Sequence, residues 1–155
     1  MKLPHPKGQL AGCVWLPRLI AKIRIFLSGE LPASYRVAFG SRSGVDGYFL
    51  RHFRLTMPQV VAAVRRASTD DDVAKWFLRC PSVTAHSIAA WNALALKLGS
   101  AGHPGGLTLK IVKWFFYPKS RFRTPGSIFE AIAIDESLAE PKQSSQPSQG
   151  AGLRN

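Results

Sequence analysis

Apolar residues recur along this chain at the spacing of short amphipathic helices. From Cys13 onward, Trp15, Leu19, Ile23, Phe26 and Leu27 fall on one helical face, and Gly29 suits the C-terminal cap. Pro17 sits near the start of this helix, where a missing amide hydrogen is tolerated. A second segment is expected around Tyr48 to Phe53, and a third is capped by Thr56 and runs through Val60, Val61 and Val64 to Arg66. The run Ser68-Thr69-Asp70-Asp71-Asp72 is a strong helix start, because a capping hydroxyl and carboxylates satisfy free amides and oppose the positive end of the helix dipole. Val73, Trp76, Phe77 and Cys80 follow on one face. After Pro81, Thr84, Ile88, Trp91, Ala95 and Leu98 form another stripe that Gly99 stops.

Between these elements, glycine and serine mark residues 28–47 as an irregular loop and residues 99–106 as a flexible connection. The apolar stretch Leu107 to Tyr117 favours helix but is short enough to be a strand. Thr124-Pro125 opens a last short helix through Ile128, Phe129, Ile132 and Ile134. The pattern predicts an all-α fold, an irregular bundle of five to seven short helices. Residues 1–12 form an extended lead-in, residues 13–135 a single helical domain, and residues 136–155, rich in Ser, Gln and Pro, a disordered tail.

Charge adds a direction to this picture. The formal net charge is +12. Eleven Lys or Arg in residues 1–66 face only Glu30 and Asp46, and no acid occurs between Asp72 and Glu130. Such a bias invites an anionic partner, whether nucleic acid, phospholipid or a phosphorylated or carboxylated ligand, without choosing among them. With only Cys13 and Cys80, and no paired spacing, a disulfide framework and a cysteine zinc site lack support, which fits a reducing, cytoplasmic setting. Leu10-Ala11-Gly12-Cys13 has the form of a lipidation signal, but Pro4, His5, Pro6 and Lys7 before it supply no apolar core. Val14 to Leu27 is interrupted by Arg18, Lys22 and Arg24, so no membrane span is expected.

Complete catalytic motifs are missing. His52, His86 and His103 have no metal-ligand spacing, and the glycine-bearing loops 40–47 and 102–106 match no nucleotide-binding fingerprint. Neither a metal nor a cofactor is therefore expected. Arg18, Lys22 and Asp46 make the best polar cluster for ligand binding. The two cations are four residues apart on one helix face, where they repel unless an acid or an anionic ligand lies between them. Asp46, on a Gly-flanked turn, could be that acid. The trio is then either a carboxylate or phosphate pocket or an internal salt bridge holding the loop to the first helix. A second basic group, Lys110, Lys113, Lys119, Arg121 and Arg123, alternates with Trp114, Phe115, Phe116, Tyr117 and Phe122. Cations beside stacking aromatics are a way to hold single-stranded nucleic acid, although core aromatics beside solvated cations give the same pattern.

The order of segments resembles the bacterial domain of unknown function family 5069 from about Gly12 to Asp135. The resemblance is carried by Leu16 to Arg24, Ser28-Gly29-Glu30-Leu31-Pro32, Phe39-Gly40, Gly44-Val45-Asp46-Gly47, Thr69 to Val73 with Trp76, Trp91-Asn92 and Phe129 to Asp135. It implies a helical fold and leaves activity open. This chain departs from the family pattern at Ala21, where relatives commonly carry an acid, and at Tyr48, where an arginine often follows the Asp-Gly pair. Three functions follow as expectations: a binding or accessory protein for an anionic ligand or partner, a nucleic-acid binder through 110–123, and a small enzyme with a pocket between the first helix and the 40–47 loop.

Overall fold

The computed structural model describes residues 3–100, 102–103 and 126–136. Within them the chain is mostly helical, as the apolar spacing predicts. A two-stranded antiparallel hairpin, β1 (Gln9–Leu10) and β2 (Cys13–Val14), precedes α1 (Leu16–Leu27), α2 (Ala33–Ala38), α3 (Val45–His52), α4 (Met57–Arg66), α5 (Asp70–Leu78), α6 (Ala85–Ala95) and α7 (Ile128–Asp135). No described helix is long and apolar enough to cross a membrane.

The hairpin occupies residues expected to form an extended lead-in and the start of the first helix. Ala11 and Gly12 turn it with φ of 51° and 72°, the left-handed pair that a tight two-residue hairpin needs. Two distant side chains then hold β2. Asn92 Oδ1 accepts from the Val14 amide at 2.9 Å, and Trp91 Nε1 donates to the Val14 carbonyl at 2.8 Å. Asn92 Nδ2 also donates to the Gly12 carbonyl at 2.8 Å. With its amide and carbonyl taken by α6, Val14 cannot begin a helix, so α1 starts at Leu16.

Residues 28–47 are not the continuous loop that their glycines and serines suggest. They contain α2, which has no side-chain N-cap bond and only six residues. Such a helix is too short to be stable alone and depends on its surroundings. The α3 helix begins at Val45, earlier than the expected Tyr48, because Gly47 is helical. A Cβ on Gly47 would lie 2.3 Å from the Ser41 carbonyl oxygen and 2.7 Å from the Arg42 Cα. Glycine is there for the close approach of the 41–42 backbone, and this packing fixes where α3 starts. The last helix starts at Ile128, capped by Ser127; Thr124 and Pro125 lie outside the described residues.

Elsewhere the helix starts match their local signals. Thr56, Thr69 and Thr84 each form a capping box, with Gln59, Asp72 and Ser87 respectively. The α6 helix ends at Ala95, before the expected stop at Gly99, and Leu98 is still buried beyond it. At the centre of the core, Phe49, Phe53, Phe77 and Trp91 join α3, α5 and α6. Phe49 and Trp91 meet edge-to-face at 5.2 Å, and Phe53 and Phe77 at 5.0 Å, a preferred geometry for aromatic pairs.

Candidate functional site

The spacing of Arg18 and Lys22 puts both on one face of α1, and the fold turns that face inward. Arg18 is 2% exposed and Lys22 7%. Asp46, in the first turn of α3, is 2% exposed. Buried charges at this density are costly unless paired, so their partners decide what the cluster can do.

Lys22 Nζ is hydrogen-bonded to Asp46 Oδ1, and Trp15 Nε1 donates to the same oxygen at 2.8 Å. The positive end of the α3 dipole also favours the Asp46 carboxylate. Burial pushes the Lys22 pKa below its ordinary value, opposed mainly by the neighbouring Asp46 charge. This pair ties α1 to α3.

Arg18 is held differently. Its Nη1 donates to the Pro4 carbonyl at 2.7 Å, and its Nη2 is paired with Glu136 Oε1. Tyr35 on α2 donates from its hydroxyl to that same Glu136 oxygen at 2.7 Å. Arg18 Nε is buried and has no hydrogen-bond partner among the described residues. An unsatisfied buried donor costs about 1–3 kcal/mol, more when it belongs to a charged group. Arg18 also lies in the first turn of α1, where a cation opposes the helix dipole.

Trp15 lies against both cations, with the Lys22 ammonium 4.7 Å and the Arg18 guanidinium 5.4 Å from its ring centroid. It also stacks on Phe129 of α7 at 5.1 Å between ring centroids. At φ 76° it occupies the left-handed region, which costs a bulky residue on the order of 1–3 kcal/mol and persists only where surrounding contacts fix it. Trp15, Tyr35 and Glu136 thus complete a cluster of which only Arg18, Lys22 and Asp46 stand out in the sequence. Glu136, at the boundary expected for the tail, is the C-cap of α7. No local signal singles it out, since Glu130, Asp135 and Glu140 are acids in the same stretch.

The other candidates separate from this cluster. Lys110, Lys113, Lys119, Arg121 and Arg123 lie outside the described residues, as do Leu107 to Tyr117 and residues 137–155. Among the described residues no group of three or more His, Cys, Asp or Glu side chains could hold a metal ion. Tyr48 lies under the Arg51 guanidinium at 4.7 Å. Cys13 is buried, and its thiol is pushed up to about 12 by that burial; Cys80 is half-buried and raised for the same reason. An open groove of about 780 Å³ lies apart from the charge cluster, between α4 and α5, with Arg66, Trp76 and Cys80 on its walls. The Lys22–Asp46 pair lies between the first helix and the start of α3, where the sequence places a candidate pocket.

Fold and site together define a small helical domain organised around a buried cluster of paired charges. A family model described as "Domain of unknown function (DUF5069)" matches residues 2–137, and the chain belongs to that family. The match spans both the hairpin and Glu136, beyond the stretch that carries the sequence resemblance. No curated protein and no solved structure matches the chain.

Proposed function

We propose that this protein is a small-anion-binding domain whose site is the α1–α3 cluster of Arg18, Lys22 and Asp46. The observation that carries this reading is the Arg18 guanidinium, buried and in the first turn of α1, with its Nε donor unmatched. A guanidinium offers five donors in a planar fork suited to oxyanions, and one left unmatched in the interior is a site with binding capacity in reserve. Asp46 neutralises Lys22 and orients Trp15, so its role is to position the cations. Trp15 supplies the ring face against which both cations lie.

The test is nitrogen-15 NMR of the arginine Nε–H groups in the full chain, titrated with acetate, phosphate and sulfate. A saturable shift of the Arg18 Nε–H signal with at least one anion is expected, and Arg18→Lys, which keeps the charge but removes the fork, should abolish the saturable shift followed at the neighbouring Trp15 indole N–H while circular dichroism stays native. An Arg18 signal unmoved by all three anions would overturn the reading.

A further inference from the structure

The Arg18–Glu136 contact has an asymmetry that points to the class of ligand. Glu136 offers one oxygen, Oε1, to two donors, Arg18 Nη2 and the Tyr35 hydroxyl. Arg18 Nη1 is taken by the Pro4 carbonyl, and Nε is left over. The Nε and Nη2 hydrogens of an arginine point the same way from one edge of the guanidinium, and that edge matches the two oxygens of a carboxylate. Glu136, fixed to the end of α7, uses half of it. A free carboxylate could place one oxygen where Glu136 Oε1 now lies, between Nη2 and Tyr35, and the other on Nε.

The geometry points to a carboxylate-binding subsite at Arg18 and Tyr35 that the chain's own Glu136 occupies in place of an external monocarboxylate. This rests on the anion-binding reading and specifies its ligand and its competitor. Charge supports the choice of a monoanion. With Glu136 in place, Arg18 and Lys22 are balanced by Asp46 and Glu136; with Glu136 withdrawn, the cluster carries one net positive charge, which one carboxylate neutralises and a doubly charged phosphate exceeds. Access supports the exchange. The Glu136 side chain is 18% exposed against 2% for Arg18, so the internal carboxylate is the member of the pair that solvent reaches.

The experiment compares acetate and phosphate binding to the full-length wild type, Glu136→Gln and the double variant Glu136→Gln with Tyr35→Phe, read by the Arg18 Nε–H signal. Removing an internal competitor raises apparent affinity in proportion to the fraction of sites it blocked, so Glu136→Gln should bind acetate about tenfold or more tighter than wild type. Phosphate affinity should rise much less, and adding Tyr35→Phe should reverse most of the gain for acetate. Anion binding by the wild type that Glu136→Gln leaves unchanged, or strengthens equally for phosphate, sinks the carboxylate assignment and leaves the anion-binding reading standing. Failure of both anions with all three proteins overturns both. Native circular dichroism and the upfield methyl signals of the aromatic core report that each variant is folded.

Discussion

Polar groups are satisfied in two different ways in two parts of this molecule. In α4, α5 and α6 the helix starts are closed by residues three apart, Thr56 with Gln59, Thr69 with Asp72 and Thr84 with Ser87, on exposed surface. Around α1 and α3 the partners are far apart in the chain and buried: Lys22 with Asp46, Trp15 with Asp46, and Arg18 with Glu136. Local capping places a helix in the sequence, whereas the buried cluster places helices against one another. The first kind of interaction is modest and replaceable, and the second is costly to break because a lone charge would remain in the interior.

The sharpest way to break the contrast is to remove Asp46, the acceptor shared by Lys22 and Trp15. Asp46→Ala should cost about 3–5 kcal/mol in urea unfolding, because Lys22 then stays buried without its counter-charge. A loss under 1 kcal/mol would mean that the pair does not hold α1 to α3.

Next in size is the effect of alkaline pH on the thiol beside this region. The folded Cys13 thiol keeps its proton to about pH 12, whereas its ordinary value is 9.0. The unfolded chain therefore releases that proton first, and stability falls as pH rises from 9 toward 12, at up to about 1.4 kcal/mol per unit. Lys22 acts in the opposite direction, since its lowered value means that the folded state gives up a proton more readily than the unfolded chain as pH rises toward 10.5. The difference between wild type and Cys13→Ala isolates the thiol. It should narrow steadily above pH 9, and parallel profiles would refute the burial argument.

The smallest effect belongs to the locally specified region. Thr69→Ala removes the hydroxyl that accepts from the Asp72 amide, and the expected loss is about 1 kcal/mol with the same fold. A loss as large as that for Asp46→Ala would erase the distinction between the two regions.

The same division explains what was legible in the chain. Thr69 followed by three aspartates marks the start of α5 without any knowledge of its surroundings, and the Val60–Val64 and Ile88–Trp91–Ala95 spacings show which faces turn inward. The hairpin was not legible, because Val14 is held in a strand by Trp91 and Asn92, more than seventy residues away. Nor was α2, which carries no capping side chain, or the early start of α3, where Gly47 reads as a loop residue and is in fact required by the approach of Ser41 and Arg42. In the site, helical periodicity paired Arg18 with Lys22, and repulsion between them called for an acid. That argument reached Asp46, and it had no means of reaching Tyr35 or Glu136.

By itself, then, the sequence determined the helical class, the helix starts at Thr56 and Thr69, and a conflict between two cations on one helix face that called for an acid or an anionic ligand. These follow from interactions within a few residues, which sequence spacing records directly. Only the tertiary structure decided that the conflict is answered twice, by Asp46 at Lys22 and by Glu136 at Arg18, with the Arg18 Nε left unmatched among the described residues. The reason is physical: a counter-charge is chosen by distance in space, and Glu136 comes beside Arg18 only after 118 residues of chain have folded back.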